Sequence, residues 1–395
     1  MIDFNFVSPT KIFYGKDKEN KVGSYIKSYG YKRVLLVYGG KHALKSGLID
    51  RVRTSLEEAE LDYFELGGVQ PNPTRDLVEA GKEMVSENKC DFILAVGGGS
   101  AIDTAKSIAC NVYYDGDVMD FNIGKAVPNK AMPIGVILTI AAAGSELSDS
   151  CVISDEAKQI KSGFHNDVVR PLFVVENPEL TYSCPRYQTG AGVIDMISHS
   201  LERYMCPSSD LQFCDSLALA VIKEIIKAAK IVNKDPNNYD ARGSLMVLSG
   251  YAHNGLTYLA KKNSMVCHGA EHALSAFDPK ITHGAGIGVC YLGWSKAYLN
   301  EMAPKLAASG RYLFDIKEND DILAAKMHIH AMQEFIEELG MPTSLAELGI
   351  KEEDLDHICD LATKNDTRKI GLAPYPLDKA GVRKIYEHCL NKENL

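Results

Sequence analysis

The chain has 395 residues, 46% of them hydrophobic and 24% charged, with a formal net charge of −9. This is an ordinary globular composition on a chain too long for one core, so two domains are expected. The acidic balance, with no basic cluster to offset it, argues against nucleic acid as a partner, and no apolar run approaches a membrane span.

The N-terminus, M-I-D-F-N-F, lacks the charged-then-apolar pattern of a signal peptide. The ten cysteines are scattered without a C-x-x-C, and Cys110, Cys151 and Cys290 sit in apolar surroundings. That pattern fits reduced thiols in a cytoplasmic protein. R-V-L-L-V-Y-G (Arg33–Gly39) reads as a buried strand, followed by a helix over 45–59 and a strand, L-D-Y-F-E-L (Leu61–Leu66). After the turn P-N-P-T comes a helix over 74–88, then a strand at Asp91–Val96 that runs through G-G-G-S into a helix over 101–110. Further strands are expected at Pro133–Ile140 and Leu172–Val175. Strands alternating with helices predict an α/β domain with a mainly parallel, Rossmann-like sheet that binds its ligand at the strand carboxyl ends.

After Tyr182 the strand signal ends. Helices are expected over 187–205, 211–233, 242–261, 264–277, 287–302, 322–339, 352–364 and 379–390. The division is therefore an α/β dinucleotide-binding domain over 1–183 and an all-α, metal-binding C-terminal domain over 184–395.

Gly97, Gly98, Gly99 and Ser100 follow a strand and open a helix. Glycines allow close approach of a phosphate, and the helix N-terminus offers free N–H groups and positive dipole. The plain alternative is a tight strand–helix turn. Asp103, just inside the helix, suits a ribose or amide, or simply complements the dipole. A second turn, Gly39, Gly40, Lys41 and His42, carries no acid for a ribose 2′-hydroxyl. Small residues and a cation leave room for a 2′-phosphate, which favours NADP over NAD. Small residues also fill T-I-A-A-A-G-S-E (Thr139–Glu146), where a flat ring can lie against backbone. Lys161 lies beyond it, and spacing alone gives it no distinction.

The most specific pattern lies in V-I-D-M-I-S-H-S-L-E-R-Y (Val193–Tyr204), where Asp195 and His199 stand four residues apart. On a helix they share a face. H-G-A-E-H repeats the spacing with His268 and His272, and His283 follows a short loop. A carboxylate and imidazoles converging from separate helices suit a divalent metal, with five candidates for about four positions. Cys267 beside His268 points elsewhere on the helix, and the H-I-H of His328 and His330 faces two ways.

With these motifs the chain resembles the iron-containing (group III) alcohol dehydrogenases, most closely the butanol-dehydrogenase-like, NAD(P)H-dependent aldehyde reductases. The resemblance runs from P-T-K-I-F-Y-G (Pro9–Gly15) through G-G-G-S-A-I-D-T-A-K and E-N-P-E-L-T-Y to C-H-G-A-E-H-A-L-S-A-F. It implies Asp195, His199, His268 and His283 as metal ligands, with His272 near the substrate and not a permanent ligand. It implies Gly97–Ser100, Asp103, Thr139, Ser145, nearby Ser148 and Lys161 as cofactor residues. The metal it implies is iron, though zinc, cobalt and nickel suit the same donors. It also implies a homodimer.

The expected activity is hydride transfer between NAD(P)H and a primary alcohol or aldehyde such as butanol or butanal. Residues near Leu147, Ser148 and the 250–258 helix are the expected substrate lining. The alternative is a metal- and nicotinamide-dependent enzyme like dehydroquinate synthase or glycerol dehydrogenase. A synthase of that kind must grip a polyanion, yet His268–Phe277 has no Lys or Arg and Val193–Tyr204 has only Arg203. A non-enzymatic metal protein would leave the glycine turn unexplained.

Overall fold

The computed structural model describes residues 3–39, 44–206, 211–262, 264–371 and 376–392. The chain forms two compact units, Val7–Cys184 with Asn237–Asn254, and Met1–Phe6 with Pro185–Pro236 and Gly255–Leu395.

The α/β unit has eight strands among its described residues: β1 (Lys11–Tyr14), β2 (Arg33–Gly39), β3 (Asp62–Val69), β4 (Phe92–Gly97), β5 (Ile134–Leu138), β6 (Ser150–Asp155), β7 (Ile160–His165) and β8 (Phe173–Glu176). Six form one parallel sheet in the order β1-β8-β5-β4-β2-β3, while β6 and β7 pair as a separate antiparallel hairpin. Helices α1 (Val22–Ser28), α2 (Leu48–Glu58), α3 (Arg75–Asn88) and α4 (Gly99–Asn111) belong to this unit. The central strands read as unbroken apolar runs because both faces are covered. Val34 and Leu36 pack with Ile49, Val52 and Leu56 of α2, whereas Leu35 and Val37 pack with Val78 of α3 and Ile102 and Ile108 of α4.

The helical unit contains α5 (Arg186–Met205), α6 (Gln212–Lys234), α8 (Val266–Phe277), α9 (His283–Ala297), α10 (Leu299–Phe314), α11 (Asp321–Glu338), α12 (Leu355–Thr363) and α13 (Lys379–Glu387). The remaining helix, α7 (Tyr239–His253), does not join them. It belongs to the α/β unit, so the division is more interleaved than a single boundary at 183/184. Met246 enters the core with Leu138, Leu147 and Val174, and the Ser249 hydroxyl donates to the Glu146 carboxylate at 2.7 Å.

The single helix expected over 287–302 is in fact two, α9 and α10, meeting at Tyr298. Pro304 lies inside α10 and masks its helical pattern in the sequence. Helix α9 is buried on nearly every side, with Ile287, Val289, Cys290 and Leu292 fully enclosed. An all-round apolar helix of this kind gives no one-sided periodicity to read. No helix among the described residues is long and apolar enough to cross a membrane.

Candidate active site

Helix α5 places Asp195 and His199 on one face, both almost fully buried. The Asp195 Oδ1 and His199 Nδ1 atoms are 3.5 Å apart. Helix α8 brings His268 Nε2 to 3.5 Å from the same Oδ1, and the rings of His199 and His268 have centroids 4.5 Å apart. One carboxylate oxygen therefore faces nitrogens from two helices. Asp195 Oδ1 and His268 Nε2 are buried and have no hydrogen-bond partner among the described residues. Buried polar atoms of this kind are costly unless something satisfies them. A divalent cation does so with the donor set present, so the residues fit a metal.

His283 opens helix α9, with its ring 5.4 Å from that of His268 and 5.6 Å from that of His272. The short loop before it closes in a tight turn. The Asp278 carboxylate accepts from the Lys280 N–H at 3.0 Å, and the Asp278 carbonyl from the Ile281 N–H at 3.1 Å. The five candidates thus assemble in two neighbouring groups. Ligand atoms of Asp195, His199 and His268 lie within 4.8 Å of one another, as do those of Glu271, His272 and His283.

Helix α9 reaches this position because Gly284 has no side chain. A Cβ there would lie 2.0 Å from the Ala191 carbonyl oxygen of α5. Backbone cannot rotate aside, so Gly284→Ala must push α9 off α5 and carry His283 with it. The expected loss is about 1–3 kcal/mol of stability, together with weaker metal retention. Chemical unfolding and metal analysis check both, and an unchanged metal content would count against His283 as a ligand.

Two glutamates went unremarked in the sequence. Glu202 Oε1 bonds His268 Nδ1, and Glu271 Oε2 bonds His283 Nδ1. Both follow a candidate histidine in an H-x-x-E pattern, at 199–202 and 268–271, and that was the available signal. Burial alone would lower the pKa of His268, but the Glu202 and Asp195 carboxylates outweigh it and hold the imidazole up to about 9, so a cation bound at Nε2 would displace the proton that faces Asp195. The H-I-H pair stays outside the site. Buried His328 bonds the Tyr291 hydroxyl at 2.8 Å, and exposed His330 pairs with Glu334.

In the α/β unit, β4 ends at Gly97 and α4 begins at Gly99. A Cβ on Gly98 would lie 2.1 Å from Cγ2 of Ile140, so this turn and the Thr139–Glu146 turn fit together only with glycine between them. The Thr139 N–H donates to the Gly97 carbonyl at 3.0 Å. Asp103 has both oxygens engaged within the unit, accepting from the Ser145 hydroxyl at 2.5 Å and the Val152 N–H at 3.1 Å. It ties the small-residue turn and β6 to α4.

Ser148 is fully buried. Its hydroxyl and carbonyl both accept from the buried Lys106 ammonium, at 3.3 and 2.9 Å. Leu147 packs in the core. Leu147 and Ser148 are thus buried within the α/β unit. Lys161 is half-buried on β7, opposite Ser154. Gly39 ends β2 at its carboxyl edge. Gly40, Lys41 and His42 lie outside the described residues.

Residues 9–178 match the family model described as iron-containing alcohol dehydrogenase. Residues 189–390 match the model described as Fe-containing alcohol dehydrogenase family, C-terminal. NADH-dependent butanol dehydrogenase A of Clostridium acetobutylicum is 38% identical over 389 residues, covering 98% of this chain and 99% of that protein. NADPH-dependent aldehyde reductase YqhD of Escherichia coli is 30% identical over 391 residues, covering 98% and 99%. Among solved structures, NADH-dependent butanol dehydrogenase A from Thermotoga maritima superposes with a TM-score of 0.94 at 32% identity, covering 99% of both chains.

Proposed function

The chain belongs to the iron-containing alcohol dehydrogenase family, and from that premise we infer an enzyme that transfers hydride reversibly between NAD(P)H and a primary alcohol or aldehyde of the butanol/butanal class. The observation that carries the metal-dependent reading is the buried Asp195 Oδ1, 3.5 Å from both His199 Nδ1 and His268 Nε2 without a hydrogen bond of ordinary geometry among the described residues. Asp195, His199, His268 and His283 would hold the ion, with iron favoured by the family. A divalent ion supplies Lewis acidity toward the substrate oxygen, and a nicotinamide cofactor supplies or accepts the hydride.

The chain's own residues do the rest. Asp195 contributes the one negative charge among the four ligands. Gly97–Ser100 and the N-terminus of α4 suit a cofactor pyrophosphate, and the Thr139–Ser145 turn suits the nicotinamide ring. Asp103 acts indirectly by holding Ser145 in that turn, and Lys161 is assigned to the nicotinamide side. In the sequence, Lys41 follows Gly39 and Gly40 with no acid beside it, which supports NADPH. The named relatives divide between NADH and NADPH, so kcat/KM for the two cofactors decides the preference.

His272, on α8 beside Glu271, is assigned to moving a proton between the substrate oxygen and solvent at its imidazole nitrogen. His272→Ala should keep its metal and lose about 100-fold in kcat; full turnover would remove it from the mechanism. Strand β1, which pairs only with β8 among the described residues, leaves an edge that supports a homodimer.

The decisive assay follows absorbance at 340 nm with metal-loaded protein, butanal and either NADPH or NADH. Cofactor oxidation that depends on aldehyde and metal is the expected result. No oxidation with any small aldehyde would defeat the reading. The butanol dehydrogenase and aldehyde reductase relatives leave the synthase-like alternative without support.

A further inference from the structure

Glu202 and Glu271 occupy equivalent places in two successive helices. Glu202 lies one turn after His199 on α5, and Glu271 one turn after His268 on α8, so each shares a face with a ligand of its own helix. Neither bonds that histidine. Glu202 reaches across to Nδ1 of His268 on α8, and its other oxygen accepts from the Cys267 N–H at 2.6 Å. Glu271 reaches across to Nδ1 of His283 on α9, and its other oxygen accepts from the Ser275 hydroxyl. Both carboxylates are at most 1% exposed. Room for Glu271 depends on Gly286 of α9, where a Cβ would lie 2.8 Å from Glu271 Cγ.

We propose that Glu202 and Glu271 are positioning residues for the metal, each carboxylate on one helix fixing the ligand imidazole of the next helix. An acceptor at Nδ1 holds the ring in the tautomer protonated there and leaves Nε2 as the lone-pair donor. His268 shows this geometry, its Nε2 turned to Asp195 Oδ1 at 3.5 Å. The two carboxylates add buried negative charge behind the ligands, which a divalent cation compensates. This inference rests on the metal reading above.

The test uses the full-length protein, stripped of metal and titrated with Co2+ against a chromophoric chelator. The wild type should bind Co2+ with a visible ligand-field spectrum. Glu202→Gln and Glu271→Gln, which keep size but lose charge, should bind roughly 10–100-fold more weakly, with altered spectra. Variants that bind as tightly as the wild type, with its spectrum, overturn the proposal and leave the metal site standing. Failure of the wild type to bind Co2+ overturns both.

If a variant does not fold, the wild type alone decides. In its Zn2+-loaded, 15N-histidine-labelled form, His268 and His283 should be protonated at Nδ1 and coordinated through Nε2. The opposite assignment overturns the proposal.

Discussion

The Asp195→Ala protein is expected to lose its metal and, with it, several kcal/mol of transition-state stabilisation, about 1,000-fold in kcat/KM for aldehyde reduction. Asp195 is the one charged group among the four proposed ligands, and its Oδ1 faces two imidazoles, at 3.5 Å in each case. Without it, three neutral imidazoles would have to hold a divalent ion in a buried site. The metal-free protein should respond far less. There, removing Asp195 relieves the desolvation cost of a buried carboxylate but also removes a charge that helps hold the His268 imidazolium, and the two effects offset. The same substitution should therefore abolish metal retention while changing the stability of the stripped protein much less than that of the metal-loaded one. Metal analysis, steady-state kinetics and chemical unfolding separate these effects. A stripped variant that unfolds far more easily would mean that Asp195 holds the fold together and is not held in readiness for a cation.

What the sequence made legible follows from where periodicity carries information. Asp195 and His199 stand out because the helical repeat forces them onto one face, whatever surrounds the helix. Strands β2, β4 and β5 stand out because burial on both faces leaves unbroken apolar runs. Strand β1 is four residues long and no more than half-buried, so it carries no such run. The β6–β7 hairpin alternates weakly, with Lys161, Ser162 and Gly163 on its more exposed strand.

Helix α7 is readable as a helix, but nothing in its repeat says that Met246 and Ser249 pack in the α/β unit. The partner of an apolar face is a tertiary fact. The same limit hid Glu202 and Glu271. A glutamate in a helix is ordinarily a solvated helix former, and only the burial of these two, with an imidazole from another helix against each, distinguishes them. Ser148 is the converse case. Its small-residue neighbourhood suited a ligand, yet its polar atoms are used by the buried ammonium of Lys106.

The other large effect concerns Glu176, the first residue of E-N-P-E-L-T-Y. It ends β8, in register with Tyr14 of β1 and Leu138 of β5, and is fully buried. Neither carboxylate oxygen has a hydrogen-bond partner among the described residues. Burial, and then the charge of the buried Glu146 carboxylate, push its pKa from the ordinary 4.5 up to about 8. The folded protein therefore keeps a proton that the unfolded chain has already released. Between these two values the native state binds more protons, so stability falls as pH rises. The contribution is fully present below about pH 4.5 and lost by about pH 8, a change of at most about 5 kcal/mol.

Other groups titrate in the same range. His328, driven down to about 3 by burial, favours the native state increasingly as pH rises toward 6.5, against the trend of Glu176. The diagnostic is therefore the difference between wild type and Glu176→Gln, in which shared contributions cancel. At pH 5 the two proteins should be similar in stability, since the amide imitates the protonated acid. By pH 8 the variant should be the more stable by several kcal/mol. Urea unfolding across this range measures the gap. Parallel curves would mean that Glu176 ionises in the fold as it does in water, and that the closed surroundings of β8 admit solvent.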